Sequence, residues 1–370
     1  MIAKVRDRLL LFWHTNKWMA LLQAIAAKLN RQKIVVYNKY HPIYTDFFFV
    51  EKMGPIKWVF VKNDWVESLP ARWMIKMANA FHIDASCYNK SFENSGKPLI
   101  VECEGTAQGA YWKNSAVKAL YFQSRYAGRM QLGQDETRLL YPAINANRSF
   151  KDLRRKEGIT LLTVGHGGFI KGIDISYAVY KELKKRGYNT RLVIAGSLGH
   201  NFDLYPEVSK EAYAEAGFEQ MEKEMLADPG VVLRPFRRWE LLNEIYPSTN
   251  VLLHFSRMET FGFTILEDIS FGIPVVSVKF KAIPEMVDHG FNGFLCNPFN
   301  WDGASPLDEL CMNTPAWKEK CIAEGVEYVE AILRDDKLEE SMRKNAFEKA
   351  RQFDFSIRHL ELSRMYNTGI

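Results

Sequence analysis

The chain has 370 residues, long for one domain and enough for two that each bury a core. Apolar residues make up 47% and charged ones 25%, a globular balance that excludes disordered and collagen-like classes. No apolar run reaches the ~20 residues of a spanning helix, and the net charge of +5 hides an asymmetry: residues 1–150 carry 21 Lys and Arg against 11 Asp and Glu, the rest 28 against 33.

The opening "MIAKVRDRLLLFWH" imitates a secretory leader, but Asp7 interrupts its basic region and no small-residue cleavage site follows. A first β-strand of a cytoplasmic protein is expected there instead. The cysteines Cys87, Cys103, Cys296, Cys311 and Cys321 form no C-x-x-C pair. Such scattered thiols fit a reducing compartment and argue against a metal cluster.

In chain order, "RLLLFWHT" reads as a strand, "NKWMALLQAIAAKLNRQ" as a helix and "KIVVYNKY" as a strand, a βαβ beginning that implies a parallel sheet. A strand at "KWVFVKN", a helix over "LPARWMIKMANAF" and strands at "KPLIVEC", "VKALYF" and "TRLLYPAI" follow. The stretch "HPIYTDFFFVEKMGP" has no assignable period. After the polar segment "NANRSFKDLRRKEG", a second series starts near Gly158: strand "ITLLTVGH", helix "ISYAVYKELKKRGY", then strands "TRLVIAG", "GVVLRPF", "NVLLHFS" and "IPVVSVKF". Buried strands alternating with helices predict two Rossmann-like, doubly wound α/β domains, residues 1–150 and 151–352. Residues 353–370 are expected as a helix returning to the first domain. Ligands should enter a cleft between the domains at strand carboxyl ends.

Residues 257–276 read "RMETFGFTILEDISFGIPVV", with Glu259 and Glu267 flanking an aromatic–glycine turn. "FTILEDISF" is a short predicted helix, closed by Gly272 and Pro274 and opened at Gly262. Free amides at a helix start attract anions, and a glycine there lets a ligand approach the backbone. A carboxylate beside a bound phosphate would repel it. The two acids therefore suit a neutral, hydroxyl-rich partner, since each carboxylate can accept from a vicinal diol. A sugar–diphosphate–ribose meets all three demands. The alternative is that both acids are solvated surface charges, or that one only favours the helix dipole.

This stretch resembles the E-x7-E signature of retaining glycosyltransferases of family 4, which have the GT-B fold. Ser256, Phe261, Gly262, Gly272 and "PVV" at 274–276 match the signature's surroundings. Further likenesses are "KAIPEMVDHGFNGFLCNP" downstream and "LLTVGHGGFIKGID" and "LVIAG" upstream. The likeness covers residues 158–356; the first half matches only in outline. It implies donor-sugar contacts at Glu259, a donor ribose at Glu267, and sugar and diphosphate along the backbone of Phe261, Gly262, Phe263 and Thr264. Lys171 matches the family's diphosphate lysine, with Gly167 nearby, and Arg234 to Phe236 lie where relatives form the base pocket. Two departures stand out. His166 replaces the family arginine, and a histidine carries charge only when protonated. In the first half, "HTNKW" replaces a glycine pair, which puts His14 and Asn16 at the acceptor side. There "VECEG" also places Glu104 where many relatives have a histidine.

The implied reaction moves a sugar from a nucleotide diphosphate sugar to an acceptor hydroxyl of a glycan or glycolipid, with retained anomeric configuration. Lys171, protonated His166 and the turn amides would meet the leaving charge. No D-x-D occurs, so no metal and no other cofactor is expected, and no nucleic-acid partner. A nucleotide-sugar epimerase of similar build and a non-catalytic nucleotide-sugar-binding scaffold are the rivals. Finally, Lys57, Trp58, Lys62, Trp65, Arg72, Trp73 and Lys76 lie close in sequence. They suit either a peripheral membrane contact or core aromatics under a lysine surface.

Overall fold

The computed structural model describes residues 16–38, 56–61, 65–85, 90–104, 115–132, 138–146, 158–198, 217–302 and 314–367. The chain divides into two compact units, Met1–Asn145 with Phe353–Ile370, and Ala146–Gln352.

In the first unit five strands pair in parallel in the order β2-β1-β3-β4-β5: β1 Lys33–Asn38, β2 Ile56–Phe60, β3 Ala80–Asp84, β4 Leu99–Cys103 and β5 Val117–Phe122. Helices α1 (Lys17–Leu29) and α2 (Leu69–Met77) pack against each other, and small residues Ala20, Ala24, Ala27 and Ala71 join the core beneath them. The expected helix over "LPARWMIKMANAF" therefore stops early. Ala78 is extended, the Asn79 side chain accepts from Ile34 N–H at 2.8 Å, and β3 starts at the next residue, completely buried at Ala80 and Phe81. "TRLLYPAI" is not a strand, since its residues from Arg138 on make only isolated bridges, Leu139 with Phe122 and Ile144 with Asp354. "RLLLFWHT", with His14, lies outside the described residues, as does all of "HPIYTDFFFVEKMGP".

The helix Phe355–Asn367 is tied to this sheet by a buried polar network. Arg358 Nη2 donates to Glu102 Oε2 at 2.7 Å, and His82 Nε2 lies 2.8 Å from the same oxygen. Arg358 Nη1 donates to the carbonyls of Leu140 and Tyr141, and His82 Nδ1 lies 3.1 Å from the Tyr366 hydroxyl. A buried charge persists only when paired and hydrogen-bonded in this way. Trp58 belongs here too. It packs edge-on against Tyr37 and Tyr366 and is core, not surface.

The second unit has six parallel strands in the order β11-β10-β9-β6-β7-β8: β6 Ile159–His166, β7 Thr190–Ser197, β8 Val231–Arg234, β9 Val251–His254, β10 Val275–Val278 and β11 Gly293–Cys296. Uniform burial along β9 and β10 is what a sheet covered on both faces requires. Strand β11 is absent from the sequence reading: four residues beginning with a glycine give little β signal. The chain runs outward in one direction from β6 to β8 and in the other from β9 to β11. The neighbours β6 and β9 thus form the point where strand order reverses, the place where ligands bind such sheets.

Candidate functional site at the reversal point

Strand β6 ends at His166 and β9 at His254, and the loops that follow carry Lys171 and Glu259. Gly172 brings the two loops together. Its φ is +66°, and a Cβ there would lie 2.0 Å from the Phe255 carbonyl oxygen, so only glycine fits. Beneath the loops, buried Arg257 donates through Nη1 and Nη2 to the two oxygens of Asp174, at 2.7 and 2.8 Å. Its Nη1 also reaches the Phe169 carbonyl and its backbone N–H the Ile170 carbonyl. Burial alone would raise the Asp174 carboxyl, but Arg257, helped by Lys318 at 3.2 Å, holds it below the ordinary range.

On this base Lys171 Nζ donates to Glu259 Oε2 at 2.9 Å, with side chains 23% and 13% exposed. His254 Nε2 lies 3.4 Å from the same oxygen. The Ser277 hydroxyl spends its one proton on the His254 carbonyl at 2.7 Å, so it accepts from Nδ1–H at 3.1 Å, and Nε2 faces the carboxylate. Burial would raise the Glu259 carboxyl. Lys171 first, then His254, overcome it and hold the group well below the usual carboxylate range. Glu259 is thus an ionised acceptor at neutral pH with a cation beside it.

Gly262 has φ +102° and opens the helix α3, Phe263–Ile269. Phe261 and Phe263 are buried, with ring centroids 5.5 Å apart, and Thr264 is half-buried. Within the helix Glu267 Oε2 accepts from the Tyr246 hydroxyl at 3.0 Å, and its Oε1 pairs with Arg238 Nη1 at 2.6 Å. The next residue is unusual. Asp268 is fully buried, and neither oxygen has a hydrogen-bond partner among the described residues. Burial, then the Glu267 charge, push its carboxyl well above the ordinary Asp range.

A raised folded-state pKa contributes stability that is complete below the ordinary Asp value of ~3.9 and is lost as pH rises through the folded value. Asp268→Asn should therefore unfold at the same denaturant midpoint as the parent at pH 4. At pH 8 it should be the more stable of the two, because the parent must then either keep an unpaired buried carboxyl protonated or ionise it without a partner. Equal midpoints at both pH values would show that Asp268 ionises freely in the folded chain.

The remaining sequence-predicted residues fall in several places. His166 is exposed at the end of β6, its Nδ1 3.0 Å from Ser197 Oγ, beside Gly167 at φ +86°. Arg234, at the end of β8, lies 3.7 Å over the Phe236 ring and pairs with Glu240 at 3.0 Å. Asn16 is a helix cap: its Oδ1 accepts from the N–H groups of Trp18 and Met19. Glu104 is half-buried just past β4, while its neighbour Glu102 enters the core. Sequence reasoning missed His254, Arg257, Asp174, Arg238 and Tyr246. The available signal was positional: a histidine closing an apolar strand and an arginine two residues before Glu259 are both polar groups at a strand's carboxyl end.

Two Rossmann-like units, each built on a parallel sheet, make this a GT-B architecture, and solved structures similar to it are glycosyltransferases of that fold. A glycosyltransferase from Rickettsia africae superposes with a TM-score of 0.62 at 11% identity, covering 91% of this chain and 98% of that one. Anabaena Alr3699/HepE in complex with UDP and glucose gives 0.57 at 15%, covering 94% and 95%. Residues 145–324 match the family model Glycosyl transferases group 1. An uncharacterized glycosyltransferase of Haemophilus influenzae is 26% identical over 164 residues, 44% of this chain and 42% of that protein. The gpi3 subunit of Schizosaccharomyces pombe phosphatidylinositol N-acetylglucosaminyltransferase is 29% identical over 133 residues, 36% and 26%. The matched region spans less than half the length of these curated relatives.

Proposed function

We propose that the chain is a retaining glycosyltransferase of the family 4 type. It would move a sugar from a nucleotide diphosphate sugar to a hydroxyl of a carbohydrate or glycolipid acceptor, with no metal. The observation that carries this reading is the pairing of Lys171 with Glu259 at the reversal point of a sheet whose region matches the group 1 model. An ionised carboxylate and an ammonium 2.9 Å apart offer one acceptor for sugar hydroxyls and one cation for the adjoining diphosphate. Glu267 then lies on the far side of the Gly262 turn, where the ribose of the same ligand would fall.

In this mechanism Lys171 and a protonated His166 stabilise the departing diphosphate. The leaving phosphate oxygen takes the acceptor proton, and Glu259 orients the sugar as oxocarbenium character develops. Arg234 and Phe236, at the end of β8 in the same sheet, are assigned to the base. His254 is a positioning residue: Ser277 orients its ring and it faces Glu259.

The test is a panel of nucleotide sugars, read first by thermal shift and then by product analysis with and without acceptor. A stabilising donor at 100 times its dissociation constant adds ~2.7 kcal/mol. Release of an isomerised nucleotide sugar without acceptor would identify an epimerase. Binding without turnover across a broad acceptor panel would identify a scaffold.

A further inference from the structure

An ordinary surface helix buries its large apolar side chains and shows polar ones to water. Helix α1 does the reverse. Its buried face consists of Ala20, Ala24 and Ala27. Its opposite face carries Trp18, Leu22, Ile25 and Leu29, which are 54%, 56%, 39% and 79% exposed. Their spacing places all four in one stripe along the helix. Helix α2, packed against α1, adds Leu69 at 63% and Trp73 at 55%. Scattered exposed apolar residues need no explanation, whereas six large ones on two adjoining helices form a patch.

The charged residues on these two helices are of one sign. Neither helix contains an acidic residue. Lys17 and Lys28 lie on α1, Arg31 just beyond it, and Arg72 and Lys76 on α2. The nearby acid Glu67 is paired with Arg72 at 3.0 Å. The surrounding residues 1–150 carry ten more basic than acidic side chains. No described helix is long and apolar enough to cross a membrane, so any bilayer contact made by these helices lies along its surface. Tryptophan at the headgroup level, leucine and isoleucine below it, and lysine at the flanks is the distribution such a contact needs.

We propose that the outer faces of α1 and α2 form a docking surface for an anionic phospholipid bilayer. The structure divides the stretch for which the sequence left membrane contact and core aromatics open, keeping Arg72, Trp73 and Lys76 on this surface. Trp58 is core and Trp65 half-buried, leaving Trp73 alone of those tryptophans on the surface, and Lys62 lies outside the described residues. Docking does not depend on the transferase reading, because it is measured without donor or acceptor.

The experiment is flotation of the full chain with vesicles of phosphatidylcholine alone or mixed with phosphatidylglycerol, at low and high salt. The parent should float with the mixed vesicles at low salt and with neither set at high salt. Trp18→Ser, Leu22→Ser and Leu29→Ser combined should cut the partition coefficient by about ten-fold or more. Because these side chains are exposed, the thermal midpoint should not fall. Lys28→Glu with Lys76→Glu should abolish the preference for anionic lipid. Absence of flotation by the parent overturns the proposal, as does undiminished flotation of the triple-serine variant. A parent dimer that the serine variant splits, without lipid binding, would reassign the patch to self-association.

Discussion

Lys171→Ala is expected to weaken nucleotide diphosphate binding by about 10- to 100-fold, or ~1.4–2.7 kcal/mol. The loss has two sources. The variant lacks the cation, and it leaves the half-buried Glu259 carboxylate, with His254 at 3.4 Å, facing an anionic ligand. Glu259→Gln should behave differently. Nucleotide binding persists, while turnover falls about 10²-fold, because a hydrogen bond to a charged group contributes ~1.5–3 kcal/mol. The double variant separates the two causes. Removing Glu259's charge from Lys171→Ala also removes the repulsion, so nucleotide affinity should recover in part while turnover stays low. Calorimetric titration with the nucleotide diphosphate and initial-rate kinetics on all four proteins supply the cycle. Strictly additive affinities would show that the pair seen in the structure does not act as a unit on the ligand.

Much of this site could be read from the sequence, because its signals are local. Glu259, Gly262 and Glu267 lie within nine residues, and the apolar runs that became β6, β7, β9 and β10 are short, β-branched and well bounded. What escaped depends on distant neighbours. Nothing near Arg257 in sequence reveals that its guanidinium is buried against Asp174, 83 residues earlier. Nor does "LLHF" disclose that the His254 ring is oriented by Ser277 and faces Glu259. The same limit explains the errors in the first unit. The period of "ARWMIKM" continues into "ANAFHID" on paper, yet Ala80–Asp84 fills a slot between β1 and β4 that only the assembled sheet defines. Glu102 and Glu104 lie two positions apart and would share a face of a continuous strand, but β4 ends at Cys103: Glu102, inside the strand, is buried against His82 and Arg358, whereas Glu104, just past its end, is half-buried.

The strongest expected effect on stability is at Arg257. In Arg257→Met, Asp174 remains fully buried and keeps only Lys318, at 3.2 Å, of its two cationic partners. Breaking a buried ion pair from one side costs ~3–5 kcal/mol, a large share of the ~5–15 kcal/mol that typically holds a folded protein together. The pH dependence has a definite sign. Asp174's depressed carboxyl contributes stability that is present above the ordinary carboxylate value and is lost as pH falls through the folded value. Without Arg257 that folded value rises, so acid unfolding should begin at a higher pH than in the parent. Replacing both residues, Arg257→Met with Asp174→Asn, removes the uncompensated charge and should cost less than the single change. Urea unfolding at pH 7 and pH 5 decides the point, and a single-variant loss below ~1 kcal/mol would place the pair among contacts of surface strength. The consequence reaches the site as well. The Arg257 guanidinium holds the carbonyl of Phe169, two residues before Lys171, so the folded fraction of Arg257→Met should also bind the nucleotide diphosphate more weakly.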